Sequence, residues 1–368
     1  MSITASANPF VCDLVAYEPG KPISETAREL GLEPDEIVKL ASNENPLGPS
    51  PLAAEAMRRS IGEAHIYPDG GAYALRSAVA GRHRLDPGNV VVGNGSNEII
   101  ELLCHSFLNP CASLVAAEHA FVVYKLMATL FGAKYIEVPD PGFVHDLDAM
   151  ADAITPDTRL VFIANPNNPT GTMVGEEEIN RFMARVPDHV VVVFDEAYHE
   201  FLENPPDTLR HLREGRNVCI LRTFSKIHGL AALRVGYGLA PAPLAGILQK
   251  ARQPFNVNAV AQAGALAALA DGEHIARTIR NNTEGLAFYE QAFAARGIET
   301  VPSHANFILA RVGDGDRLFA DMLRKGVIVR AMRGYKLPEW VRISIGTAAE
   351  NQRFIEVFDE VMAATTPS

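Results

Sequence analysis

The chain has few cysteines, no long apolar run and a deficit of positive charge. Four cysteines (Cys12, Cys104, Cys111 and Cys219) are scattered through 368 residues with no CxxC pair. That scatter reads as buried reduced thiols, which fits the cytosol, and none sits in the setting of a nucleophile. No stretch approaches the ~20 uninterrupted apolar residues of a membrane span. The opening segment MSITASANPFVCDLVAYEPG has no basic start followed by an apolar run, so no signal peptide is read there. Basic side chains number 33 against 44 acidic ones, a net charge of −11. This disfavours broad nucleic-acid binding, which needs a basic face to displace counterions. An anionic ligand would have to sit in a local pocket of Arg and Lys. Apolar residues at 48% and charged residues at 21% are ordinary globular values, which exclude collagen, coiled coil and disorder. The expectation is a cytoplasmic protein with small-molecule ligands and neither membrane nor nucleic-acid partners.

At ~150 residues per domain the length suggests about two domains. The first forty residues, rich in Pro, Gly and charge, read as an arm with a short helix at Ile23–Leu30. ASNENPLGPSP (Ala41–Pro51) is a loop dense in Asn and Pro. Apolar, β-branched runs follow at Val90–Val92, Leu114–Ala116, Leu160–Ala164, Val190–Phe194 and Val218–Leu221. Amphipathic helical stretches lie between and after them, among them Ile99–Phe107, Glu176–Ala184 and Leu244–Ala251. Alternating strands and helices predict an α/β fold with a mostly parallel sheet covered on both faces. After Asn258 the texture changes. An Ala-rich helix (Ala259–Ala270) and a polar one (Ala276–Arg296) precede strands at Phe307–Ala310, Val327–Arg330 and Val341–Ile345 and helices at Arg317–Arg324 and Glu350–Met362. The expected division is an arm at 1–42 joining the small domain, a large domain at 43–257 and a small α+β domain at 258–368.

Ligands of a parallel sheet bind beyond the carboxyl ends of its strands, so the residues after each strand carry the functional signal. Val90–Val92 runs into GNGSNE (Gly93–Glu98) and a helix. The glycines permit a tight turn, and the free N–H groups at the helix start favour an anion such as phosphate. A plain capped turn would read the same way, and the dinucleotide pattern GxGxxG is absent. Leu160–Ala164 runs into NPNNPTG (Asn165–Gly171), a rigid loop that could present Asn168. Val190–Phe194 ends in DEAY (Asp195–Tyr198), where a buried Asp needs a positive partner. Val218–Leu221 continues into RTFSK (Arg222–Lys226). A single Lys is most often a surface ion pair. Here Asn168, Asp195 and Lys226 each follow a different strand and would converge on one edge. A convergent Lys, Asp, Tyr and phosphate cradle is what pyridoxal phosphate requires. Its aldehyde condenses with a lysine, and a carboxylate keeps its ring nitrogen protonated.

At this point the sequence resembles the fold-type-I, class-II PLP-dependent aminotransferases, and within them the histidinol-phosphate branch. The resemblance runs through YEPGKP (Tyr17–Pro22), KLASNENPLGPSP (Lys39–Pro51), YPDG (Tyr67–Gly70), GNGSNE, FVVY (Phe121–Tyr124), ANPNNPTGT, DEAY, RTFSK, GLAALRVGYG (Gly229–Gly238), PFNVN (Pro254–Asn258) and VRISIGT (Val341–Thr347). It implies an α/β/α sandwich with a smaller α+β domain, and pyridoxal 5′-phosphate as cofactor. It implies that Lys226 carries the internal aldimine and moves the proton, while Asp195 pairs with the ring nitrogen. Tyr198 and Asn168 would bond the ring hydroxyl. Ser96, Asn97, Ser225 and Arg234 would hold the phosphate. Tyr124, in preference to Phe121, would stack on the ring. Tyr67 would reach the phosphate in the neighbouring subunit, making a homodimer with shared sites. Tyr17 and Asn43 would help close the pocket, Arg342 would hold the substrate α-carboxylate, and Arg330 is the candidate for a distal phosphate.

The implied reaction is ping-pong amino transfer from L-histidinol phosphate to 2-oxoglutarate, giving imidazole acetol phosphate and glutamate in histidine biosynthesis. Arg342 would then serve the phosphate of one substrate and the carboxylate of the other. The alternative is an aromatic aminotransferase acting on phenylalanine or tyrosine. An Arg-lined pocket against an apolar one would discriminate them.

Overall fold

The computed structural model describes residues 3–12, 14 and 22–365. The apolar runs form one seven-stranded sheet from β1 (Val90–Gly93), β2 (Ser113–Ala117), β3 (Lys134–Val138), β4 (Thr158–Ala164), β5 (Val191–Asp195), β6 (Val218–Thr223) and β7 (Gly236–Leu239). Their order is β1-β7-β6-β5-β4-β2-β3. The pairs among β2 to β6 are parallel, and β7 runs antiparallel to both its neighbours. Because side chains alternate along a strand, a run that is apolar throughout feeds two cores at once. Val92, Val161, Ile163, Val192 and Phe194 enter the core on one face. Val91, Leu160, Phe162, Val191 and Val193 enter the core on the other.

A second, antiparallel sheet comprises β8 (Thr300–Val301), β9 (Phe307–Arg311), β10 (Arg330–Ala331) and β11 (Trp340–Ser344), in the order β10-β11-β9-β8. Tyr289 and Phe293 from the helix Gly272–Ala294, with Phe354 and Phe358 from Ala348–Thr365, build its core. The N-terminal segment joins this part of the molecule. Val38–Lys39 pairs in parallel with Val327–Ile328, and Ala27 and Ile37 pack with Ile328.

Several elements differ from the sequence reading. The edge strand β3 was not expected: its residues are mostly half-buried, so it lacks a continuous apolar run. The glycines of β7 hide a strand whose four residues are all buried. Val327–Arg330, expected as one strand, divides between two sheets, with Val327–Ile328 on the arm and Arg330 beside β11. The Ala-rich helix, Ala259–Ala268, sends Ala261, Ala265 and Ala268 into the core of the large sheet. Cys104 and Cys219 are buried, whereas Cys12 and Cys111 are exposed. Among the described residues no helix is long and apolar enough to cross a membrane.

Candidate active site

Parallel strands deliver their carboxyl ends to one edge of a sheet, and polar residues placed after them meet there. The loops after β1, β4, β5 and β6, with the Ala41–Glu44 segment and residues of β10 and β11, enclose a cavity of about 300 Å³.

Asp195 closes β5 and is buried. The Tyr124 hydroxyl donates to its Oδ2 at 2.7 Å. Its Oδ1 is buried with no hydrogen-bond partner. Burial lifts the Asp195 pKa to about 6, against the pull of the Tyr124 bond. A buried acceptor left without a donor costs free energy, so this oxygen is set for an N–H that comes from outside the chain.

Lys226 follows β6. Its Nζ donates to the Ser42 carbonyl at 3.2 Å and lies 5.8 Å from the Tyr198 ring centre. Desolvation, reinforced by the Arg342 charge, lowers its pKa to about 8, so a neutral amine is accessible near physiological pH. Tyr198 accepts a hydrogen bond from Asn43 Nδ2 at 2.9 Å, and burial raises its phenol to about 12. Asn43 itself has φ 54° and is pinned by Ser344, whose Oγ accepts from the Asn43 N–H at 2.8 Å.

The anion cradle forms at the start of the helix Ser96–Phe107. Gly95 has φ +81°, and a Cβ there would lie 2.5 Å from Arg234 Nη2. A Cβ at Gly236 would lie 2.5 Å from the Ser96 nitrogen. Glycine at both positions lets the Arg234 guanidinium and the helix N–H groups approach the same point. Arg234 Nη1 also donates to Ser225 Oγ at 3.3 Å.

Arg342 Nη2 donates to the Ala41 carbonyl at 2.9 Å, and Nη1 donates to Asn168 Oδ1. Arg330 stands directly across from Arg342 in the β10–β11 register, so both project from the same sheet face. Both line the cavity.

The cavity thus gathers Lys226, Ser96, Asn97, Tyr124, Asn168, Asp195, Tyr198, Ser225, Arg234, Asn43, Arg330 and Arg342. Tyr67 is not among them. It is 79% exposed, with its ring stacked on Phe255 at 4.8 Å. Tyr17 lies outside the described residues. Tyr124 has a different position from the one expected. It is wholly buried, its ring rests on Phe162 at 4.4 Å, and its hydroxyl is engaged by Asp195. Phe121, half-buried and edge-on to Tyr124, is the FVVY aromatic with surface left on the cavity wall. Asn168 likewise gives its oxygen to Arg342, which leaves its amide NH₂ for a ligand.

Sequence reasoning missed Glu44, Thr223 and Tyr335 on the cavity wall. Glu44 stood next to Asn43 in the Asn-rich loop, and that adjacency was the one available signal. It also missed the buried pair behind the site. Arg222 Nη2 lies 2.6 Å from Glu196 Oε2 and joins the ends of β5 and β6, next to Asp195 and Thr223.

The residues fit a flat, phosphorylated pyridine. The unpartnered Asp195 Oδ1 suits a ring N–H, the glycine-walled cradle suits a phosphate, and the depressed Lys226 amine lies in the same cavity.

Known proteins match nearly the full length of the chain. The family model for aminotransferase class I and II matches residues 35–358. A histidinol-phosphate aminotransferase from Akkermansia muciniphila is 62% identical over 363 residues, covering 98% of this chain and 100% of that protein. Histidinol-phosphate aminotransferase 2 from Ralstonia nicotianae is 49% identical over 360 residues, 96% of each. Among solved structures, histidinol-phosphate aminotransferase from Sinorhizobium meliloti in complex with pyridoxal-5′-phosphate superposes with a TM-score of 0.89 at 25% identity, over 98% of both chains.

Proposed function

The chain belongs to the aminotransferase class I and II family, with the fold-type-I architecture, and from that premise we propose that it transfers the amino group of L-histidinol phosphate to 2-oxoglutarate in histidine biosynthesis. The observation that carries the reading is the placement of Lys226 and the unpartnered Asp195 Oδ1 in one cavity that Arg330 and Arg342 also line.

Pyridoxal phosphate, when bound, supplies an aldehyde that condenses with amines and a ring that accepts electron density from the substrate Cα. The protein's own groups do the rest. Asp195 holds the proton on the ring nitrogen. Tyr198, through its hydroxyl, and Asn168, through its amide, orient the ring hydroxyl. Ser96, Asn97, Ser225 and Arg234 bind the phosphate, and Phe121 packs on the ring in place of Tyr124. Lys226, with its amine neutral above about pH 8, takes the proton from the substrate Cα and returns it. Arg342 holds the carboxylate of glutamate by a two-pronged contact, and with Arg330 holds the phosphate of histidinol phosphate. Asn43 helps close the pocket. Tyr67, exposed and not part of the wall of its own cavity, serves the site of a second subunit, and we assign a homodimer on that ground. We retain the division into an arm, a large part and a small part, with the helix Ala259–Ala268 placed on the large part. The cytoplasm is the compartment that fits.

The deciding experiment is a paired assay of the cofactor-loaded enzyme with histidinol phosphate and with phenylalanine, 2-oxoglutarate being the acceptor. A kcat/KM for histidinol phosphate at least tenfold above that for phenylalanine supports the reading. A tenfold preference for phenylalanine, about 1.4 kcal/mol the other way, assigns an aromatic aminotransferase instead.

A further inference from the structure

The cavity carries more positive than negative charge. Lys226, Arg234, Arg330 and Arg342 are its cations, and Asp195 and Glu44 are its two carboxylates. Asp195 is buried, and its free oxygen suits the ring nitrogen of the cofactor. Glu44 is exposed and lies on the wall formed by the Ala41–Glu44 segment. Lys39 Nζ holds Glu44 Oε1 at 2.9 Å, and Oε2 has no partner among the described residues. The carboxylate is close enough to Lys226 that its charge opposes the downward shift that burial imposes on that amine.

We propose that Glu44 is a specificity-determining residue whose carboxylate accepts the N–H of the imidazole ring of the amino substrate. The inference rests on the histidinol-phosphate reading above. That substrate has two recognisable ends, a phosphate and an N–H-bearing ring. The arginines serve the first. The second needs an acceptor, and Glu44 is the carboxylate of the cavity that the cofactor leaves free. Lys39 fixes the Glu44 side chain and so lowers the entropic cost of presenting Oε2. Glutamate, the other amino substrate, brings a second carboxylate rather than a ring N–H, so the Glu44 charge does nothing to hold it and opposes its binding. One residue would therefore favour one of the two substrates that share the site.

The test compares Glu44→Gln with the wild-type holoenzyme in the half-reactions from histidinol phosphate and from glutamate. Any change in Lys226 basicity acts on both donors and cancels in the ratio of their kcat/KM values. We expect that ratio to fall roughly tenfold in Glu44→Gln, because the amide oxygen still accepts but has lost the charge that makes the bond about twice as strong. The loss should fall mainly in KM, with a matching loss of histidinol phosphate affinity in isothermal titration. Lys39→Met removes the ion pair and keeps the carboxylate, so it should hold the ratio within about threefold of wild type. A Glu44→Gln ratio equal to that of wild type overturns the proposal, as does an equal loss in Lys39→Met, which would make the ion pair purely structural. A wild-type enzyme that does not use histidinol phosphate at all overturns both this inference and the reading beneath it. Normal wild-type turnover with an unchanged ratio in Glu44→Gln overturns this inference alone.

Discussion

Asp195 and Lys226 stand at the ends of adjacent strands with opposite pKa displacements, and both follow from burial of a charge. In the cofactor-free protein the Asp195 pKa of about 6 lies above its ordinary 3.8, so the native state holds the extra proton between those values. Native stability then declines as pH rises through that window, and the penalty is fully present above about pH 6, at about 3 kcal/mol. Thermal melts of the apoprotein should show Asp195→Asn matching wild type near pH 4 and exceeding it near pH 7. The same variant, loaded with cofactor, should lose two to four orders of magnitude in kcat, because the amide cannot hold the ring-nitrogen proton. Lys226 is displaced downward. The apoprotein should accordingly take up pyridoxal phosphate faster as pH rises through about 8, which stopped-flow absorbance can follow. Lys226→Ala should abolish turnover together with the lysine-linked visible absorption. Retained amino transfer in that variant would remove Lys226 from its role.

Two short elements were placed by close approach rather than by propensity. The turn before the helix Ser96–Phe107 brings Arg234 within 2.5 Å of where a Cβ on Gly95 would stand. Gly95→Val should therefore weaken cofactor binding by at least tenfold in equilibrium dialysis, through the displaced guanidinium and the strained φ. The helix Ala259–Ala268 packs on Pro51–Ile61 through small residues, and a Cβ on Gly264 would already lie 3.0 Å from Met57 Cγ. Gly264→Leu should overpack that contact and cost about 1–3 kcal/mol in denaturant unfolding. Both effects were invisible in sequence. GNGSNE and AVAQAGALAA show that glycine is present, but not which side chain comes to lie over it. The divided segment Val327–Arg330 teaches the same lesson. Four consecutive residues look like one strand until two different partners claim its halves.

For the whole molecule, the sharpest expectation concerns Tyr67, exposed and outside the cavity of its own chain. In a two-fold dimer with shared sites, Lys226→Ala and Tyr67→Ala subunits are each defective. Mixed one to one with subunit exchange, half the dimers become hybrids with one intact site each. Activity should return to about a quarter of wild type. No recovery, with exchange verified by mass, would place Tyr67 outside the partner's site.

Strand-end chemistry was legible in the residues themselves. Once Asn168, Asp195 and Lys226 each follow an apolar run in a parallel sheet, topology alone brings them to one edge, because parallel strands end on the same side. The ordered motifs carried the family for the same reason: each is a local turn or strand end whose chemistry travels with its few residues. Tertiary structure decided what depends on distance between segments far apart in the chain. It set the hydroxyl of Tyr124 on Asp195 and left Phe121 on the cavity wall. It buried Arg222 against Glu196 behind the site, seated the Ala-rich helix on the large sheet, and brought Glu44 to the cavity wall. Such contacts arise from how sheets and helices stack, and a period of two or 3.6 in a sequence says which face is buried without saying what it meets.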